Sequence, residues 1–190
     1  MQEILLIGGG GHCRSVIDVI EQEGRYKIAG IIDKEEFIGV EVLGYKVIGT
    51  DEELITLRKR YSHACITVGH IYSNSIRVKL FALLKELEFE LPAIVSPLGY
   101  LSQHAILGEG SIVMHGAVVN ANAKVGKNSI INSQSLVEHD VIVEDNVHIS
   151  TKVTLNGGVV VKEGSFVGSG VVTKEGVTLD GFIKAGSLIK

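Results

Sequence analysis

The sequence predicts two architectures in one chain: a small Rossmann-like α/β domain built on a parallel sheet, followed by an all-β parallel β-helix. Three observations carry this reading. Strand-like and helix-like segments alternate up to the only two prolines, Pro92 and Pro97, and no helical period survives beyond them. From 101 to 190 the chain cuts into fifteen consecutive hexapeptides. Aromatic residues make up 5% of the chain and Trp is absent, so Val, Ile, Leu and Ala must fill the core. The expected regions are 1–92 and 93–190.

Each element follows in order. Residues 3–7 read as a short buried strand, followed by Gly8, Gly9, Gly10, Gly11 and His12. Val16, Ile17, Val19 and Ile20 then form an apolar face at helical spacing, closed by Gly24. A second strand over 27–32 ends at Asp33. The pattern predicts a helix over 51–61 capped by Thr50, and a third strand over 64–68 stopping at Gly69. A last helix over 75–88 is expected to bury Ile76, Leu80, Leu83, Leu84 and Leu87. This order implies a parallel sheet with right-handed crossovers. Backbone N–H groups of the four glycines, at a helix start, can hold an anion. A full dinucleotide fingerprint would need another glycine where Cys13 stands.

The hexapeptides are consistent internally. Their first position is Leu, Ile or Val in thirteen of fifteen units, the exceptions being Thr173 and Ala185. Their fifth position, from Ala105 to Ile189, is always small or β-branched. Each unit supplies one short strand and three units make one coil of eighteen residues, so about five coils are expected. A β-sandwich would instead show turn clusters and variable loop lengths.

Composition bounds the function. The 190 residues are 45% apolar and 21% charged, as in an ordered globular protein. A net charge of −4 argues against a general nucleic-acid binder. The apolar stretches are strand-sized, short of the ~20 residues of a membrane span. The N-terminus shows no charged start, apolar run and small-residue cleavage site, so the expected location is cytoplasmic. Cys13 and Cys65 are too few for a disulfide framework or a zinc cluster, and packing explains both.

A β-helix can serve as a scaffold alone. The polar exceptions argue for more. His139 holds the third position of its hexapeptide, on an outward turn, with Glu138 before it, Asp140 after it and His148 nine residues on. A carboxylate that holds an imidazole in one tautomer raises its basicity, as general-base chemistry requires. His104 and His115 read as polar turn positions.

A Gly-rich N-terminal sheet ending in Gly11-His12, joined to hexapeptides containing NSQSLVEHD at 132–140, resembles the PglD/NeuD-type sugar acyltransferases of the hexapeptide-repeat superfamily. The resemblance spans essentially the whole chain. It implies a homotrimer of left-handed β-helices, with acetyl-coenzyme A as acyl donor in the groove between neighbours. The N-terminal domain would hold a nucleotide-linked acceptor sugar. His139 matches the family's general base, Asp140 its orienting acid, and His148 a histidine near the acetyl group. Gly157, Gly158, Gly168 and Gly170 are the turn positions where the coenzyme can approach the backbone. The loop of Gly8, Gly9, Gly10, Gly11 and His12 would take the nucleotide's uridine and phosphate side, and Asp33 its base or ribose. Lys34 stands where the family often has a second acid. Gly69, Asn74 and Arg77 resemble the family's Gly-Asn-Arg segment with looser spacing; Arg77 fits a solvated helix residue equally well. The closing TLDGFIKAGSLIK departs from the Gly-x-Pro-Ala-Lys/Arg ending of relatives.

The activity implied is direct N-acetylation of a nucleotide-linked 4-amino-4,6-dideoxy sugar for a surface glycan. O-acetylation of sialic acid or a similar sugar is the alternative within the class. A non-catalytic, sugar-binding β-helix subunit is the alternative outside it. No metal is expected, because His115, His139 and His148 lack the spacing of a γ-class carbonic anhydrase.

Overall fold

The computed structural model describes residues 1–190. They form two compact units: Met1–Val68 with Ile76–Pro92, and Gly69–Ser75 with Ala93–Lys190. The 69–75 loop therefore counts with the repeat region.

The first unit is a five-stranded sheet of β1 (Gln2–Ile7), β2 (Tyr26–Ile32), β3 (Glu41–Val42), β4 (Tyr45–Gly49) and β5 (His63–Ile66), in the order β3-β4-β2-β1-β5. All pairings are parallel except β3 with β4. Interior strand β1, between β2 and β5, has Ile4, Leu5, Leu6 and Ile7 buried in succession, the continuous apolar run of a strand covered on both faces. Helix α1 (Gly11–Glu23) buries Val16, Ile17, Val19 and Ile20 as the spacing predicts. Gly24, with φ of 68°, ends it by donating its N–H to Ile20 O at 3.0 Å.

Three expectations for this unit need correction. The β3–β4 hairpin was not foreseen, because its two-residue turn is Leu43-Gly44. Leu43 takes a φ of 49° that Asn or Asp would have advertised. The helix expected over 51–61 is a 3-10 turn, Asp51–Glu53, followed by one turn of α2 (Leu54–Leu57). Glu53 Oε2 still accepts the Thr50 N–H at 2.9 Å. In α3 (Ser75–Glu86) the buried side runs through Arg77, Leu80 and Leu84, so Ile76, one position out of phase, is 62% exposed.

The second unit contains seventeen two-residue strands, from β6 (Ile94–Val95) to β22 (Leu188–Ile189), in three parallel sheets of six, five and six. This is the three-sided β-helix the repeat predicts. Up to Leu179 each strand pairs with the one eighteen residues on, as Val119 does with Val137 and Val137 with Leu155. First-position side chains from Val113 to Val167 and fifth-position side chains from Ala117 to Val171 form one buried core. From Gly110 to Gly176 every sixth residue has positive φ, so each corner turns through one left-handed residue, usually Gly or Asn.

The repeat's limits also need correction. It begins one strand earlier than expected, at Val95, and loses phase after Leu179. There Asp180 and Gly181 turn the corner in two residues, where other corners take four, and Phe182 pairs with Phe166 sixteen residues back. Ala185, expected inside, is exposed. Ile183 and Ile189 pack against the core instead.

Candidate active site

His139 and Asp140 share a corner of the β-helix. The strands on either side fix that corner, and Asp140 is its left-handed residue, with φ of 62°. His139 Nδ1 lies 2.7 Å from Asp140 Oδ2. An ionised carboxylate only accepts, so Nδ1 carries the proton and Nε2 keeps its lone pair. The side chain is 63% exposed, so Nε2 is available to a substrate. The hydrogen bond to Asp140, and then the charges of Asp140 and Glu138, raise the imidazole above its ordinary pKa. Asp140 is held below the usual carboxylate value by the hydrogen bond from His139 and then by one from Asn122.

Asn122 and Asn120, which the sequence reading did not single out, help to build this corner. Asn122, eighteen residues before Asp140, donates Nδ2 to Asp140 Oδ1 at 2.6 Å. Asn120 does the same for Glu138 Oε2 at 3.0 Å, and that oxygen accepts the His139 N–H at 3.1 Å. On the following coil, a Cβ at Gly157 would lie 2.7 Å from His139 Cε1. Gly157 thus leaves the space in which the imidazole sits. The eighteen-residue spacing of Asn122, Asp140 and Gly158, and of Ala121, His139 and Gly157, was the signal that could have revealed these stacks.

The structure does not bring His148 to this corner as a free group. It lies on the strand His148–Ile149, is 8% exposed, and packs with the 69–75 loop. Its Nδ1 donates to His70 O at 2.7 Å, leaving Nε2 to accept from Asn132 Nδ2 at 3.2 Å. Its ring meets those of His70 and Phe166 edge-on, at 5.4 and 5.2 Å. Phe182 stacks on Phe166, and Tyr72 of the loop stacks on Phe182. Asn74 also belongs to this loop: its Nδ2 would meet a Cβ at Gly164 at 2.7 Å. Gly69 begins the same segment. His115 bonds through Nδ1 to Ser96 Oγ at 2.6 Å, a turn contact as expected.

The remaining glycines separate. Gly158 and Gly170 are left-handed corners, with φ of 71° and 70°, and open space surrounds the Cβ position of Gly170. Gly168 is not an approach for a ligand. Its Cβ position lies 2.5 Å from Ala185 N, so glycine there serves coil stacking.

In the first unit, Asp33 Oδ2 accepts the Gly9 N–H at 2.6 Å and Oδ1 the Lys34 N–H at 2.8 Å. The acid closes the glycine loop. Gly8, at φ of 101°, approaches Val68 too closely for any side chain. Gly10 and Gly11 have nothing within 4 Å of a Cβ, and half-buried His12 follows at the start of α1. Beside this loop opens a cleft of about 690 Å³ whose lining includes Gly8, Asp33, Lys34, Asp51, Ile38 and Ile76. Burial, and then the charge of Asp33, raise the pKa of Asp51. Arg77 is neither solvated nor in this cleft. It is 1% exposed and donates Nη1 to Ile66 O and Val68 O at 2.7 and 2.9 Å, which ties down the end of β5. Burial lowers its pKa to about 10 and pushes Cys65 up to about 12, so neither cysteine is a ready nucleophile, Cys13 also being raised by burial.

Comparison with known proteins gives the family and the fold. The family model of the PglD N-terminal domain matches residues 3–84. No curated protein matches the sequence. The acetyltransferase domain of PglB from Neisseria gonorrhoeae FA1090 is 30% identical, with a TM-score of 0.92 over all of this chain and 92% of that one. That domain has also been solved with acetyl coenzyme A. A histidine-to-asparagine variant of perosamine N-acetyltransferase from Caulobacter crescentus, in complex with CoA and GDP-perosamine, is 31% identical. Its TM-score is 0.93, over all of this chain and 89% of that one. WeeI from Acinetobacter baumannii AYE, at 20% identity and a TM-score of 0.55, shares the fold. With identities of 30% and above across nearly whole chains, this protein belongs to the PglD-type sugar acetyltransferases of the hexapeptide-repeat family.

Proposed function

We propose that the protein transfers the acetyl group of acetyl-coenzyme A directly to the amine of a nucleotide-linked 4-amino-4,6-dideoxy sugar. The observation that carries the reading is the His139–Asp140 pair, with Nδ1 occupied and Nε2 exposed. The acceptor amine attacks the thioester carbon while Nε2 takes its proton. The tetrahedral adduct then expels the coenzyme A thiolate, to which the imidazolium returns the proton. Asp140 stabilises that imidazolium without itself changing protonation. The GDP-perosamine and acetyl coenzyme A complexes of the two relatives support both substrates.

The acceptor's nucleotide occupies the cleft beside the glycine loop. Its diphosphate lies against the open backbone of Gly10, Gly11 and His12 at the start of α1, and the base or ribose offers donors to the carboxylates of Asp33 and Asp51. The coenzyme runs past the corners of Gly157, Gly158 and Gly170. The working form is a homotrimer that encloses this arm between neighbouring helices. The outward column of one sheet, Tyr100, Val118, Leu136, Thr154, Val172 and Leu188, supports it as a largely apolar face to cover, Tyr100 and Leu188 being 56% and 63% exposed. No helix is long and apolar enough to cross a membrane, in keeping with work on cytoplasmic nucleotide sugars.

Thiol release from acetyl-coenzyme A tests the reading against 4-amino-4,6-dideoxy sugars carried on UDP, GDP and dTDP, with free sialic acid beside them. Turnover on one amino sugar is expected, with a loss of about 10²-fold or more in His139→Ala. Turnover on sialic acid alone would move the enzyme to O-acetylation, and full activity in the variant would remove His139 from the mechanism.

A further inference from the structure

We propose that Asn122 is a positioning residue that aims the Asp140 carboxylate at His139 from the preceding coil of the β-helix. The proposal rests on the reading of His139 as the base. Asp140 is an exposed side chain, 55% accessible, at a corner. Left to itself such a carboxylate samples several rotamers, and only some direct an oxygen at the imidazole. Asn122 Nδ2 takes Oδ1 at 2.6 Å, which leaves Oδ2 in the fixed carboxylate plane, 2.7 Å from His139 Nδ1. One hydrogen bond from a residue outside the pair thus sets both the rotamer of the acid and the ring orientation of the base.

The fold makes this contact reliable. Residues 122 and 140 are one coil apart, and the ladders on both sides of the corner run in eighteen-residue register, Val119 to Val137 and Lys124 to Ile142. Asn120 and Glu138 repeat the arrangement one strand-end earlier, so one coil holds both acids that flank His139. The residue type is constrained twice. A donor is required, and aspartate at 122 would set two like charges within hydrogen-bond distance. The backbone at 122 is also left-handed, with φ of 61°, which Asn tolerates. The charged groups that face His139 are Asp140 and Glu138. Its neighbours in register on the adjoining coils, Ala121 and Gly157, are uncharged.

Asn122→Gly tests the proposal, because glycine suits the left-handed corner and removes only the amide. The expected result is a fall of about tenfold in kcat from the misaligned base, without a matching change in KM for acetyl-coenzyme A. At the same time His139, followed by its 13Cε1 resonance in the intact protein, titrates at lower pH, because the hydrogen bond that raises it is released. A fall in kcat with an unchanged His139 titration overturns the proposal, since a merely structural role predicts that pattern. Wild-type kcat and titration in Asn122→Gly, with His139→Ala inactive, overturn it while leaving the base reading intact. Wild-type turnover in both variants removes the base reading and the proposal together.

Discussion

The two units of this chain encode their structure differently. In the β-helix, one six-residue period specifies strand position, inward side chains and corners together. In the α/β unit each element depends on its own local signals, and those signals vary in strength. The first kind of code is redundant and rigid in phase; the second tolerates local change but depends on a few buried polar ties. The proposed chemistry uses positions that this code leaves free, because a corner such as His139-Asp140 can vary its polar side chains while the strands beside it hold the geometry.

Breaking the phase should have the largest effect. One serine inserted between Asn128 and Ser129 would turn every later inward residue outward and is expected to abolish the cooperative thermal transition of the β-helix. The same insertion between Lys59 and Arg60, in an exposed turn, should cost about 1 kcal/mol or less. Equal losses in the two melts would refute the difference between the units.

The α/β unit should instead fail at its buried tie. Arg77→Met removes the donor to Ile66 O and Val68 O and is expected to lower stability by about 2–4 kcal/mol, read by urea denaturation. An unchanged midpoint would mean that these carbonyls find other partners.

At the His139–Asp140 corner the expected effects are kinetic. Gly157→Ala puts a methyl 2.7 Å from His139 Cε1, so the ring must move, and kcat should fall by about tenfold with little change in melting temperature. A normal kcat would show that the imidazole has room elsewhere.

The smallest change is a shift in pH profile. In the proposed mechanism His139 takes a proton only when neutral, and Asp140 raises its pKa, so wild-type kcat/KM should decline toward acid from above the ordinary imidazole value of about 6.5. Asp140→Asn removes that charge, and the acid limb should move to lower pH. Comparing both proteins on one acceptor cancels the titration of the substrate amine, and a limb that stays in place would separate Asp140 from the base.

The legibility of the sequence followed this division. The β-helix core could be read from Val113 to Leu179 because each coil repeats the same demand on the same positions. Prediction failed at the end, where Asp180 and Gly181 shorten a corner that still leaves apolar residues at plausible intervals. In the first unit α1 was legible from its apolar face and Gly24. The β3–β4 hairpin was not, since Leu43 carries no turn signal, and Ile76 and Arg77 exchanged their expected burial because neighbouring helical positions differ by about 100°.

The sequence alone determined the class of fold, the order of its two units and the candidacy of His139 beside Asp140, because period and adjacency are properties of the chain itself. Tertiary structure decided the rest. It brought Asn122 to Asp140 and opened Gly157 beneath His139. It also turned His148 toward His70 and withdrew Arg77 into the core. These are contacts between residues separated by a coil or more, and their geometry exists only once the backbone ladders have set the coils in register.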